Sequence, residues 1–257
     1  MARPPRPRPE SDMYHVYTRG TGRQIIYEDD DDRRAFLNML ASSVVKTDAE
    51  LFAYCLMGNH YHLVVKCDYD ALPKLGFELN RSYATYFNDI HNRTGHLFQD
   101  RYSSQPIDDD SYLLAAVRYV HRNPVEAGMT RTCSYPWSSY DAYCGRCIIQ
   151  PGCFMQPPLN TAKVPGMLGS MEAFEEFHAH AGKEVFADDH ASPSTLSEKE
   201  VIAIARTALN GFDPGNLKAL SKVDRDRGLL LLKSTHLTQS QIARLTGLSQ
   251  SVVSRVK

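Results

Sequence analysis

The chemistry in this chain starts from two imidazoles. The segment Gly58 to Val65, "GNHYHLVV", sets His60 and His62 two residues apart in a run of large apolar side chains. In an extended strand residues i and i+2 share a face, so both rings can converge on one ion while Tyr61 points away. The alternative is that both are satisfied core residues, since a buried imidazole needs a partner either way. A second pair at the same spacing, His178 and His180, lies in the helical pattern "EEFHAHAG". On a helix those rings diverge by about 200°, so that pair is expected on a solvated surface and cannot share an ion.

A further donor lies in "RYVHRNPVEAG". Tyr119 stands about 100° round a helix from Val120 and about 200° from Val117. It therefore leaves the apolar stripe and is expected to face the sheet edge or solvent. Asn123 is four residues on, on the same side, and Pro124 disfavours helical backbone at Asn123, which places the helix end there. Two imidazoles and an amide oxygen would make a mixed N/O site suited to Mg²⁺ or Mn²⁺ and open to a phosphate oxygen. Cys144 and Cys147 form one CxxC, with Cys133 and Cys153 nearby. Structural zinc usually takes two such couples, so ordinary thiols are expected.

The elements that must hold these groups can be read from pattern. "MYHVYT" from Met13 is aromatic and β-branched and predicts a strand. Acids from Glu28 to Asp32 precede "RRAFLNMLASSVV" and favour the positive end of a helix dipole. They read as capping and solvated charge rather than as a metal site. "ELFAYCLM" and "HYHLVVKC" flank Gly58-Asn59, a hairpin signal. Leu72, Leu75, Leu79, Tyr83, Phe87 and Ile90 recur at three and four, predicting a long helix. "HLFQDRYSSQPI" reads as a strand, and Asp108 to Asp110 cap a last helix with Leu113, Leu114, Val117 and Val120 on its buried stripe. The order β-α-β-β-α-β-α contains a ferredoxin-like split unit. The fold class is α+β, an antiparallel βαββαβ sheet with helices on one face, plus a helical C-terminal domain.

Composition sets the frame. The 257 residues carry a formal charge of −1, but from Lys218 to Lys257 eight Lys/Arg face Asp224 and Asp226, a net +6. A basic end on an otherwise acidic chain points to nucleic acid. No run of about 18 apolar residues exists to span a membrane. "MARPPRPRPE" has no apolar core like a signal peptide's, and sparse cysteines fit a reducing cytoplasm. The expected organisation is a disordered basic arm over 1–12, a catalytic domain over 13–145, a loop-rich extension and linker over 146–195 with a short helix, and a helical domain over 196–257.

Five segments then carry a resemblance. "YHVYTRG", "YCLMGNHYHLVV", "NRTGHLFQDRY", "LLAAVRYVHRNPVEAG" and "YPWSSYDAY" occur in that order over residues 13–145. Together they resemble the single-tyrosine HUH transposases, and among these the REP-associated tyrosine transposases, relatives of the transposases of the smallest insertion sequences. The resemblance implies a metal-dependent enzyme that nicks and rejoins single-stranded hairpin or palindromic-repeat DNA. His60 and His62 match the metal pair, Tyr119 the nucleophile and Asn123 the third polar ligand, with Mg²⁺ or Mn²⁺ as cofactor. A phenol has an ordinary pKa near 10, so the ion is needed to polarise the phosphate. Tyr112, Tyr102 and Tyr86 are the other candidate phenols. Arg19, Arg101, Arg118 and Arg122 would be surface charges in the plainer reading, or hold the DNA backbone.

The tail "LTQSQIARLTGLSQSVVSRVK" carries a capping box at Thr238 and Gln241, then Ala243, Gly247 and Val253 at helix-turn-helix spacing. Its second helix, Ser249 to Val256, would offer Gln250, Ser251, Ser254 and Arg255 to duplex DNA; a packing hairpin is the alternative. A nucleoid-associated cytoplasmic protein follows, with no membrane partner, a monomer favoured and a homodimer possible. Two rivals stay open: a non-catalytic DNA-binding regulator derived from a transposase, and a metal-dependent hydrolase that uses water while Tyr119 is structural.

Overall fold

The computed structural model describes residues 8–146, 156–182, 186, 198–209, 211–235, 237 and 239–256. The chain divides into two units, Met1–Asp188 and Asp189–Lys257. The first is built on β1 (Met13–Arg19), α1 (Asp30–Lys46), β2 (Glu50–Met57), β3 (His60–Lys66), α2 (Leu72–Ile90), β4 (Ser103–Ile107) and α3 (Asp110–Glu126). Its sheet has the order β2-β3-β1-β4 with antiparallel neighbours. That is the ferredoxin-like split arrangement the element order predicts.

Strand parity decides which helix meets which side chain. Thr18 stands opposite Tyr61 and Tyr17 opposite His62 in the β1–β3 register. On one face Tyr61 packs on Phe36 of α1 at 4.8 Å between ring centroids and bonds Asn80 of α2 at 2.6 Å. On the other face His62 meets Tyr119 of α3. The helices of the split unit thus share one face, while α3, outside that unit, covers the opposite one. Both faces of β1 and β3 are buried, which is why their sequences are almost continuously apolar rather than alternating.

Capping sets the helix starts. Asp29 accepts from the Asp32 amide at 3.0 Å, and the buried Asp32 carboxylate accepts from the Glu28 amide at 2.7 Å. The acidic run is therefore reciprocal capping for α1. Asp109 caps α3 through the Tyr112 amide at 2.7 Å. The end of α3 differs from expectation. The helix runs to Glu126 with Pro124 inside it, held by Ala127 N to Asn123 O at 3.0 Å. Pro124 is buried, so packing overrides the local preference at Asn123. The fourth strand is also shorter than read: it begins at Ser103, which leaves Arg101 in the preceding turn.

The outer edge of β2 is closed by later chain. Leu56 N donates to Trp137 O at 2.9 Å, Ser139 N to Tyr54 O at 3.0 Å, and Asn160 N to Leu51 O at 2.8 Å. The Tyr143 hydroxyl adds a bond to Phe52 O at 2.6 Å. "YPWSSYDAY" is thus an edge cover, with the short helix α4 (Tyr140–Tyr143) inside it, and it removes an exposed strand edge. Beyond it α5 (Lys163–Leu168) and α6 (Met171–Ala179) follow, and α6 packs on α3.

The second unit has α7 (Glu198–Ala208), α8 (Lys222–Lys233), α9 (Gln239–Thr246) and α10 (Gln250–Arg255) around a core that includes Val201, Leu217, Leu229, Leu232, Ile242 and Val253. Gly247 follows α9 at φ 65°, a left-handed turn that glycine adopts without strain. Ala243 and Val253 are buried. Thr238 of the expected capping box, Cys147 and Cys153 lie outside the described residues. Cys144 is a free thiol. Among the described residues no helix is long and apolar enough to cross a membrane.

Candidate functional site

The β2–β3 hairpin places His60 at the first residue of β3, and His62 follows on the same face. Their rings stand 4.9 Å apart at 89°. Both are buried, His60 at 7% and His62 at 1% exposure. From α3 the Tyr119 ring meets His62 edge-on at 5.7 Å and 87°. Tyr119 does not leave the sheet for solvent: α3 lies flat on this face, so the direction that departs from the Val117–Val120 stripe points at the histidines.

Each imidazole is oriented by a neighbour. His60 Nδ1 is 2.5 Å from Asn59 Oδ1, and His62 Nδ1 is 3.1 Å from Nε2 of His15 on β1. Burial, helped by the Arg19 charge, pushes the His62 pKa down to about 3, so its ring is neutral, the form that ligates metals. Among the described residues no three His, Cys, Asp or Glu side chains gather as a metal site. The donor set here is of another kind, the two imidazoles of His60 and His62, with the Asn123 amide one turn beyond Tyr119. Nδ1 engaged by an outer partner is the usual posture of a ligating histidine, so the residues fit a divalent ion held through Nε2.

Asn123 lies one turn beyond Tyr119, and its Nδ2 donates to Tyr119 O at 3.1 Å. Arg19 ends β1 opposite His60. Arg122 bonds Glu126 at 2.8 Å and the carbonyls of His178 and Ala179 at 2.8 and 3.1 Å, while Arg118 lies over the Phe177 ring at 4.0 Å. These two guanidiniums fasten α6 to α3. Arg101 is exposed in its turn. In the second unit Ser254 and Arg255 sit on α10, as do Gln250 and Ser251, whose side chains are outside the described residues.

The second histidine pair corrects its expectation. His178 is 1% exposed, with Nε2 3.0 Å from His121 Nδ1 and its own Nδ1 2.8 Å from Phe174 O. His180 is exposed beside Glu176 at 2.9 Å. The core-histidine reading weighed for His60 and His62 applies to His121 and His178, whose partners are an imidazole, a serine and a carbonyl. Two contributors escaped the sequence reading. His15 is fully buried in "MYHVYT", and Phe186 stacks on Tyr119 at 4.3 Å and 23°. The signal for His15 was available: in the split order β1 borders β3, and two residues before Tyr17 is the same face as His62.

Residues 10–123 match the family model described as transposase IS200 like. The matched segment lies within the first unit. The match spans His60, His62, Tyr119 and Asn123. Among solved structures, the chain is similar to one described as a REP-associated tyrosine transposase bound to a REP hairpin, at 14% identity over 62% of this chain and 94% of that one, TM-score 0.46. It is also similar to a putative transposase from Deinococcus radiodurans R1, at 17% identity over 39% and 82% of the two chains, TM-score 0.32. No curated protein sequence matches it.

Proposed function

We propose that the first unit is a transposase domain of the IS200-like kind, which nicks and rejoins single-stranded DNA through Tyr119 at a divalent-cation site formed by His60 and His62. The observation that carries the reading is the meeting of two β3 imidazoles with one α3 phenol on a single sheet face, His62 and Tyr119 being 5.7 Å apart between centroids. Mg²⁺ or Mn²⁺, when bound, supplies charge to polarise the scissile phosphate. Asn123 would add an amide oxygen to the donor set.

The chemistry balances as a transesterification. The Tyr119 oxygen bonds the phosphorus and its proton passes to solvent. The bond from phosphorus to the 3′ oxygen breaks, and that oxygen takes up a proton as a 3′-hydroxyl. The resulting 5′-phosphotyrosine conserves the ester, so a 3′-hydroxyl of a second strand can reverse the step without ATP. Arg19 and Arg101 are the backbone-holding candidates; Arg118 and Arg122 would act first on α6. The second unit, with its left-handed Gly247 turn and net positive charge, supports a duplex-binding helix-turn-helix using Gln250, Ser251, Ser254 and Arg255.

A 5′-labelled and a 3′-labelled hairpin-bearing single strand, incubated with the full chain and Mn²⁺, test this. The expected result is a protein–DNA adduct on the fragment downstream of the nick, lost in Tyr119→Phe and in His60→Ala. Cleavage without an adduct that survives in Tyr119→Phe would establish a water-using hydrolase instead. Hairpin binding with neither adduct nor cleavage would favour the non-catalytic regulator.

A further inference from the structure

We propose that His15 is a positioning residue that fixes the tautomer of His62 and braces Tyr119. The inference rests on the metal-site reading above and extends it to a residue outside the pair and the phenol. His15 sits mid-β1, is fully buried, and has its Nε2 3.1 Å from His62 Nδ1. The two rings are nearly parallel, 5.3 Å apart at 17°, and the edge of His15 meets the Tyr119 ring at 5.6 Å and 78°. One buried side chain thus touches both halves of the site.

The hydrogen bond has a direction that chemistry decides. A neutral imidazole has one N–H and one lone pair, so of the two facing nitrogens one donates and one accepts. If His15 donates, His62 carries its proton on Nε2 and cannot ligate through that atom. If His15 accepts, His62 is held as the Nδ1–H tautomer with its Nε2 lone pair open to a cation. The cation therefore requires His15 as acceptor, and His15 in turn as its own Nδ1–H tautomer. For His60 the Asn59 carbonyl, which can only accept, imposes the same choice. His15 is to His62 what Asn59 is to His60.

Position in the sheet makes this specific to His15. Its Cα pairs with Val64 and Gln105, so it reaches His62 diagonally across the β1–β3 ladder rather than as a direct partner, the direct partner of His62 being Tyr17. A side chain shorter than histidine leaves the diagonal unbridged. Glutamine, extended, brings a carbonyl oxygen to about the place of Nε2, whereas phenylalanine fills the volume with no acceptor.

Mn²⁺ affinity, measured by isothermal titration on the full chain without DNA, separates these roles. His15→Phe is expected to weaken Mn²⁺ binding 10- to 100-fold, His15→Gln to restore it to within a few-fold, and His62→Ala to abolish it. Thermal unfolding of each variant verifies that the fold is retained. The proposal is overturned if His15→Phe binds Mn²⁺ as the parent does, or if a folded His15→Gln binds no better than His15→Phe. A parent chain whose Mn²⁺ binding is unchanged by His62→Ala would overturn the metal-site reading itself, and His15 with it; loss in His62→Ala alone overturns the role of His15 only.

Discussion

His121 Nδ1 stands 3.0 Å from His178 Nε2, and this bond is the middle of a buried chain that joins α6, α3, the edge cover and β2. Phe174 O receives His178 Nδ1, and His121 Nε2 meets Ser139 Oγ at 2.8 Å. Ser139 Oγ in turn accepts from the Tyr54 amide at 2.9 Å. The chain ties α6 and the edge cover to the helix that bears Tyr119. Burial pushes both histidines down, His178 to about 4, so both are neutral in the fold.

The sign of the resulting pH dependence follows. The unfolded chain takes protons near the ordinary histidine pKa of about 6.5, before the folded chain does, so stability is complete above that value and lost below it. The slope is about 1.4 kcal/mol per pH unit per group until the folded values are reached. Melting followed by circular dichroism should give a Tm that is flat from pH 7 to 8 and drops steeply from 6 to 4.5. His178→Leu should flatten the acid slope while lowering the pH 7.5 stability by about 2 kcal/mol, because His121 Nδ1 and Phe174 O lose a partner. An acid slope equal to that of the parent would show that this chain is not its source.

What the sequence disclosed was set by which forces are local. Strand and helix identities follow from periodicity, and the hairpin from Gly58-Asn59, so the antiparallel split order was legible. His60 and His62 were legible as one face because parity is a property of the chain itself. The face of His15 follows from the same parity once the split order sets β1 beside β3, but its bond to His62 depends on the register of that pairing, between residues 47 apart in sequence. Pro124 within α3 was misjudged for the same reason: its local bias is outweighed by burial that the sequence does not state. His178 shares a helix face with Phe174, four residues before it, so its burial is within reach of the sequence, whereas its bond to His121, 57 residues away, is not.

Gly76 reverses the usual expectation for glycine in a helix. Replacing a mid-helix glycine by alanine ordinarily stabilises by up to about 1 kcal/mol. A Cβ on Gly76 of α2, however, would lie 2.3 Å from Cδ1 of the buried Tyr102 ring. An aromatic ring wedged in a core cannot yield as the end of a flexible chain does. Gly76→Ala should destabilise by about 1–3 kcal/mol, while Gly166→Ala in α5, where a Cβ meets nothing within 4 Å, should not. Chemical denaturation of the two variants decides this: similar midpoints would mean that Tyr102 moves aside.

His91 carries the opposite pH sign from the buried pair. Its Nε2 lies 3.0 Å from Asp32 Oδ2 and its Nδ1 3.4 Å from Glu28, and the bond to Asp32 raises its pKa. A raised histidine pKa contributes stability that is whole below the unfolded value near 6.5 and disappears as pH climbs through the folded value. His91→Gln should therefore cost stability at pH 6, on the order of 1 kcal/mol for an ion pair near the surface, and little at pH 9. Equal losses at both pH values would mean that the ring acts through packing on Phe87, which it meets at 4.4 Å.

Gly247 is where the second unit depends on a single backbone conformation. At φ 65° it turns the chain from α9 to α10, and a side chain there finds space, with Lys218 Cδ at 3.7 Å. Crowding is thus not the obstacle; the left-handed backbone is, costing roughly 1–2 kcal/mol for an ordinary residue and less for asparagine. Gly247→Val should raise amide exchange throughout Gln250–Arg255, and Gly247→Asn should raise it far less. Exchange over β3 and α3 serves as the internal reference and should stay at the parent level in both variants. If α10 exchanges alike in the parent and in Gly247→Val, the turn does not fix the second helix, and the case for α10 as a held recognition helix falls with it.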